Sequence, residues 1–128
     1  MTEVVIPKLE GFGTKTDIPA IDSALKNPEY YATEKNEVVT IETMTPNEYL
    51  TKSDEVQGVR REESLRLIDQ ELVGKYATMI REGTNFDVPF LDYKRNTQEG
   101  RHRAYAAKQA GLTEIPVAIV NEAKPPTP

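Results

Sequence analysis

The sequence predicts an α+β fold in which a small mixed sheet packs against helices. Apolar segments with strand-like patterns, at residues 37–43, 86–93 and 115–120, are interleaved with helical patterns. This alternation, with an apparent strand–helix–strand return over residues 90–120, is typical of a layered domain built around one sheet. The 128 residues, of which 38% are hydrophobic, are enough for one domain with a modest core.

The predicted domain spans residues 37–121, between two less regular segments. Prolines and glycines recur so often in residues 1–36 that we predict a loosely ordered arm, with one short helix over Pro19–Lys26. Two adjacent tyrosines at positions 30–31 would pin this arm to the body by packing. The proline-rich residues 122–128 are predicted to form an extended, disordered tail.

The domain is predicted to begin with a strand over residues 37–43, where apolar and polar side chains alternate. A capping box follows, with Thr45 as the helix N-cap, proline after it and Glu48 at the third helical position. We predict a short helix that ends near Leu50. Residues 52–59 are polar and are predicted to form a loop.

Residues 62–82 are predicted to form one long helix, which Gly83 ends. Six apolar residues recur at helical spacing and define its buried stripe: Leu65, Ile68, Leu72, Tyr76, Met79 and Ile80. A strand is predicted over residues 86–93, but Pro89 cannot donate a hydrogen bond to a sheet. This strand is therefore expected to be short or to lie at an edge.

The stretch that carries the functional prediction begins with Glu99, Gly100, Arg101, His102 and Arg103, just before an alanine-rich helix. Unpaired N–H groups and the positive end of the helix dipole lie at a helix start, so arginines are electrostatically misplaced there unless an anion joins them. A phosphate or carboxylate held by this turn would resolve the misfit. Alternatively, the arginines are solvated or paired with Glu99. The helix is expected to end at a glycine, before a strand at residues 115–120 that is buried on both faces.

Residues 98–120 resemble the ParB/sulfiredoxin superfamily, also called ParB-like nuclease domains. The resemblance lies in the glycine, the His-Arg pair, the alanine-rich helix, Gly-Leu and the Ile-Pro-Val that opens a strand, and a looser likeness extends back to Val38. In that family this turn binds nucleotide phosphates. The resemblance implies that Gly100, Arg101, His102 and Arg103 contact a nucleotide. It also implies that Arg60 adds a further positive arm, with a solvated Arg60-Arg61 pair as the alternative.

The sequence also departs from this family. Sulfiredoxins need a cysteine where Arg101 stands, and the chain contains no cysteine, which excludes sulfinic-acid reduction. ParB proteins carry an acidic residue at that position and a helix-turn-helix module after the domain. We expect no such module after Val120, so partitioning by itself is not the expected function. A stand-alone domain of this type would suit a phage or another mobile element.

Two residues of this turn are candidates for a catalytic role. Glu99 can orient a water molecule or hold Mg²⁺, although a salt bridge to Arg101 or Arg103 would equally explain it. His102 can carry a proton near neutral pH, although in sulfiredoxin-like turns the histidine mainly shapes the site. Three functions therefore stay open. These are a nucleotide- or phosphate-binding domain using a nucleoside triphosphate and Mg²⁺, with hydrolysis or phosphoryl transfer; a DNA-associated protein or nuclease; and a non-catalytic interaction module.

The composition limits the metal ions, nucleic acids and membranes with which the protein can interact. With no cysteine and a single histidine, disulfide frameworks and zinc sites are excluded. A net charge of −5 requires any DNA contact to use local positive charge, which is concentrated only at residues 60–61 and at Lys94 and Arg95 with the arginines of the turn. Binding to DNA is expected to be weak. No apolar run suits a membrane helix and the N-terminus does not resemble a secretion signal, so we expect a cytoplasmic protein.

Overall fold

The computed structural model describes residues 3–124, in which six strands and six helices are found. The strands are β1 (Phe12–Thr16), β2 (Glu37–Met44), β3 (Phe86–Val88), β4 (Phe90–Asp92), β5 (Thr97–Glu99) and β6 (Ile115–Glu122). The helices are α1 (Pro19–Lys26), α2 (Pro28–Glu34), α3 (Pro46–Gln57), α4 (Arg61–Arg66), α5 (Gln70–Arg81) and α6 (Arg101–Gln109). None of the helices in this described part is long and apolar enough to cross a membrane.

The main sheet is mixed and has four strands in the order β2-β6-β4-β5. Strand β6 pairs antiparallel with β2 and parallel with β4, and β5 closes the sheet antiparallel to β4. All six residues from Ile115 to Val120 are buried, as the apolar run predicts for a central strand. The predicted α+β fold is thus confirmed.

Pro89 divides the predicted strand 86–93 between two sheets. Its first part is β3, which pairs in parallel with β1 in a separate two-stranded sheet, and its second part is β4 of the main sheet. Proline has no N–H to give to a ladder, but its carbonyl still accepts a hydrogen bond from the Ala118 N–H at 3.0 Å. The chain therefore changes sheets at this residue.

Residues 3–36 contribute regular elements and core side chains to the domain, where the sequence predicted a loose arm. They form β1, α1 and α2, and Phe12 and Leu25 are buried in the main core. The Phe86 N–H donates to the Gly11 carbonyl at 2.8 Å and so joins this segment to β3. The prolines and glycines begin or end these elements instead of preventing them. The predicted helix Pro19–Lys26 is confirmed, and Tyr31 packs against the core.

The end of the described chain returns to the start of β2. The Ala123 N–H donates to the Asn36 carbonyl at 3.2 Å, and the Lys124 N–H donates to the Asn36 side-chain oxygen at 2.9 Å. The first residues of the predicted tail are thus attached to the domain. Residues 125–128, for which disorder is predicted, lie outside the described residues.

The capping box at the start of α3 is confirmed. The Thr45 hydroxyl accepts from the Glu48 N–H at 3.1 Å, while the Glu48 carboxylate accepts from the Thr45 N–H at 3.4 Å. The helix does not stop near Leu50, however, and continues through the predicted loop to Gln57. Burial of Ser53 and Asp54 on its inner face explains why a polar sequence stays helical here.

The predicted helix 62–82 is broken into α4 and α5 by a linker at residues 67–69. Asp69 acts as the N-cap of α5, and its carboxylate accepts from the N–H groups of Glu71 and Leu72 at 3.0 and 3.1 Å. Of the predicted stripe, Leu65 in α4 is 43% exposed, and the linker residue Leu67 is 75% exposed. The buried residues of α5 are Ile80, which belongs to the predicted stripe, and Val73 and Ala77, which do not.

Candidate functional site

The first turn of α6 begins at Gly100, which lies against Pro89. Gly100 has φ +143°, and a Cβ built on it would come within 2.4 Å of the Pro89 Cβ. Only glycine therefore allows α6 to start this close to the crossover between the two sheets. The turn has no side-chain cap and no acidic residue, and the Ala104 N–H is the first to reach the Gly100 carbonyl, at 2.9 Å. The preceding N–H groups have no partner within the helix.

The two arginines of this turn point to different parts of the protein. Arg101 is 7% exposed and reaches α3, where its Nη2 donates to Asp54 Oδ1 at 3.2 Å and to the Ser53 carbonyl at 3.3 Å. Arg103 is 9% exposed and donates from Nη1 to the Asp87 carbonyl at 2.5 Å. The sequence predicts a shared phosphate site, but the structure brings only Arg103 to the depression beside Gly100.

We call this depression, which has a volume of about 370 Å³, the α6 cleft. Its polar lining is supplied by Asp17, Asp87, Glu99, Gly100, His102 and Arg103. One wall is apolar and comes from Leu72, Tyr76 and Phe86, with the two aromatic rings 4.7 Å apart between centroids. The sequence thus predicted four of the polar lining residues, and it missed the two aspartates, which lie more than ten positions from the turn.

The charges of the α6 cleft are mostly negative. Three carboxylates face one guanidinium, because Asp17, Asp87 and Glu99 line the cleft with Arg103. Arg103 Nη2 lies 3.9 Å from Asp17 Oδ2, and Lys15 Nζ lies 3.1 Å from Asp87 Oδ1. A bare phosphate would therefore meet repulsion, which a divalent cation bound to the phosphate would reduce.

His102 connects α6 to the linker between α4 and α5. Its Nε2 accepts a hydrogen bond from the Asp69 N–H at 3.1 Å. A ring nitrogen that accepts carries no proton, so the neutral ring has its proton on Nδ1. His102 lines the cleft and is half-buried, which fits a residue that shapes the site as well as one that donates to a ligand.

Glu99 ends β5 at the mouth of the α6 cleft and is exposed. No group of three or more metal-ligating side chains that could hold an ion is found in residues 3–124. Mg²⁺ does not need such a group, because one or two carboxylates together with phosphate oxygens and water complete its coordination. The position of Glu99 is therefore compatible with an ion that arrives with its ligand.

Tyr49 lies beneath the site and is fully buried, and no motif in the sequence singles it out. Its hydroxyl is 3.1 Å from the Phe90 carbonyl and 2.9 Å from Gln98 Oε1, so it supports the strands next to Gly100. Burial raises the pKa of Tyr49 far above its usual value, against the opposing effect of Arg103. The hydroxyl therefore stays protonated and acts as a fixed hydrogen-bond partner.

Arg60, predicted as a further phosphate contact, does not line the α6 cleft. Its side chain is 79% exposed and its Nε lies 3.1 Å from Glu63 Oε1. The neighbouring Arg61 donates instead to Asp54 Oδ2 at 2.8 Å. Burial alone would raise the pKa of Asp54, but hydrogen bonds from Arg61 and Ser64 outweigh it and hold that pKa below its usual value.

Comparison of the chain with protein-family models, with curated proteins and with solved structures finds no match. A functional proposal for this chain therefore depends on the geometry and charge of the α6 cleft.

Proposed function

We propose that the protein binds the phosphates of a magnesium nucleotide in the α6 cleft. The observation that carries the proposal is the uncapped start of α6, where N–H groups without helical partners share a cleft with the buried guanidinium of Arg103. Helix starts of this kind bind phosphate through N–H groups and the helix dipole. The planar guanidinium group of Arg103 can donate two parallel hydrogen bonds to two phosphate oxygens.

The acidic lining supports a ligand that carries its own cation. Glu99 and Asp17 would face Mg²⁺, and the ion would offset the repulsion between these carboxylates and the phosphates. The apolar wall with Tyr76 and Phe86 gives a surface for the flat base of a nucleotide. The cleft volume also lies in the range of small-ligand sites.

The resemblance of residues 98–120 to the ParB/sulfiredoxin superfamily leads to the same ligand class, and membership of that family is part of the proposal. Hydrolysis or phosphoryl transfer would need a group that orients the attacking water, and Glu99 is the residue proposed for this role. Replacing Glu99 with glutamine should then lower phosphate release from a nucleoside triphosphate while nucleotide binding persists.

The experiment that tests the proposal is a calorimetric titration with ATP, GTP and CTP, each with Mg²⁺ and with EDTA. We expect saturable binding of at least one nucleotide that weakens strongly in EDTA, because the unshielded phosphates then face the carboxylates. The Arg103→Lys variant keeps the positive charge but cannot form the bidentate hydrogen bonds of a guanidinium group. Its affinity for the nucleotide should therefore fall by about tenfold or more.

Arg60→Ala is the matched control, because Arg60 is an exposed arginine outside the cleft. It should bind the nucleotide like the parent protein. A random DNA duplex is the second control, since Arg101 and Arg103 are buried and Arg60 is paired with Glu63, and we expect only weak, salt-sensitive binding. If duplex binds tightly at physiological salt and no nucleotide binds, the function is the DNA-associated alternative and the proposal is wrong.

A further inference from the structure

A second cleft lies on the other side of the first turn of α6 and shares no lining residue with the α6 cleft. We call it the α4 cleft. Its volume is about 360 Å³, and it lies between the end of α3, helix α4 and the start of α6. Its lining residues are Gln57, Val59, Glu63, Ser64, Arg66, Leu67 and Arg101. Small-ligand sites in proteins have volumes of this size.

Positive charge exceeds negative charge along this cleft and behind it, where Asp54 and Arg61 lie outside the lining. Asp54 accepts both from Arg61 at 2.8 Å and from Arg101 at 3.2 Å, so one carboxylate serves two guanidinium groups. Arg66 adds another cation to the lining. The acidic residue among the lining side chains, Glu63, is held by Arg60 at 3.1 Å.

The guanidinium of Arg101 is also incompletely hydrogen-bonded. Its Nε is shielded from solvent, and no hydrogen-bond partner for it is found in residues 3–124. A buried donor without an acceptor is unfavourable, and water at the surface does not relieve it. An anionic group that enters the α4 cleft would add negative charge beside Arg101 and Arg66, which both line it.

Two lining residues of the α4 cleft present apolar side chains to solvent. Leu67 is 75% exposed and Val59 is half-buried, so both side chains would lose contact with water when a ligand enters. We propose that the α4 cleft binds a small organic monocarboxylate, whose charged end lies toward Arg101 and Arg66 and whose apolar chain lies over Leu67 and Val59. The site is separate from the proposed nucleotide site, and either one can exist without the other.

The test is a titration of the ¹⁵N-labelled full chain by NMR, with butanoate, hexanoate and hexylamine as probes. We expect hexanoate to shift the amide signals of residues 57–67 saturably. Hexanoate should bind about 15-fold more tightly than butanoate, because it adds two buried methylene groups. Hexylamine should not bind, because its ammonium group would face Arg66 and Arg101. Equal binding of hexylamine and hexanoate, or no saturable shift with hexanoate, would overturn the proposal.

Variants of exposed lining residues test the cationic part and the apolar part of the α4 cleft separately, without disturbing the core. Arg66→Ala should weaken hexanoate binding about tenfold, and Leu67→Ser should also weaken it, because each removes a lining side chain. Lys75→Ala, which removes an exposed cation elsewhere, and Leu65→Ser are the matched controls, since neither residue lines the cleft, and both should bind like the parent. The assignment is wrong if Arg66→Ala and Leu67→Ser both bind as tightly as their controls.

Discussion

The close approach of Gly100 to Pro89 predicts a large cost for adding one methyl group. In a Gly100→Ala variant the residue would have to keep φ +143°, a conformation reserved for glycine that costs about 1–3 kcal/mol. Its Cβ would also meet the Pro89 Cβ at 2.4 Å, and relieving such overlap costs about 1–3 kcal/mol more. We therefore expect the free energy of unfolding to fall by about 4 kcal/mol, a large share of the roughly 5–15 kcal/mol usual for a domain.

Urea denaturation followed by circular dichroism measures this loss. Gly58→Ala is the matched control, because Gly58 also has a positive φ of +66° but no atom lies within 4 Å of a Cβ built there. It should lose only about 1 kcal/mol. The double variant Gly100→Ala with Pro89→Gly should lose less than the sum of the two single variants, because the contact is absent. If Gly100→Ala and Gly58→Ala lose equal free energy, contact with Pro89 does not determine the start of α6.

Three further perturbations test the contacts of the capping box, the cleft and the buried ion pairs. Thr45→Ala removes the capping box with Glu48 and should lower the free energy of unfolding by about 1 kcal/mol in urea, whereas an unchanged midpoint would contradict the capping role. Arg103→Ala leaves the Asp87 carbonyl without its buried donor, so it should destabilise the fold by about 2 kcal/mol. A variant as stable as the parent in thermal melts would contradict a stabilising role for this hydrogen bond and favour the alternative that Arg103 is solvated. The pKa of Asp54 is lowered in the folded state, so its stabilising contribution is present above the usual 3.8 and is lost as the pH falls through the lower folded value. As the pH is lowered from about 5 to about 2, the free energy of unfolding should therefore fall less for Asp54→Asn than for the parent protein. The same fall in both proteins would refute this.

Elements set by local pattern could be predicted from the sequence. The alternation in β2, the capping box of α3, helix α1 and the buried run of β6 each depend on neighbouring residues, and all four are found. Local pattern failed where a distant contact decides the outcome. The predicted helix 62–82 has a continuous apolar stripe, yet the structure breaks it at Asp69. The Asp69 carboxylate caps α5, and the Asp69 N–H donates to the side chain of His102, which belongs to helix α6.

In the candidate site, too, the residues that are close in sequence could be predicted and the distant ones could not. Gly100, His102 and Arg103 are close in sequence, so a local motif identifies them together. Asp17 joins them only because β1 pairs with β3, whose partners Phe12 and Phe86 are far apart in the chain. The motif also does not show that successive side chains of a helix diverge, which is why Arg101 lies on the opposite side of the turn from Arg103.

The central claim is that phosphate oxygens meet the N–H groups at the start of α6. The most direct test is to follow the backbone amide signals of Arg101, His102 and Arg103 by ¹H–¹⁵N NMR while the magnesium nucleotide that binds in calorimetry is added. We predict large downfield shifts at these amides, as hydrogen bonds to phosphate form, and small changes at residues 57–67 of the α4 cleft. If the nucleotide binds while the three amides stay in place, the phosphates lie elsewhere and the account is contradicted.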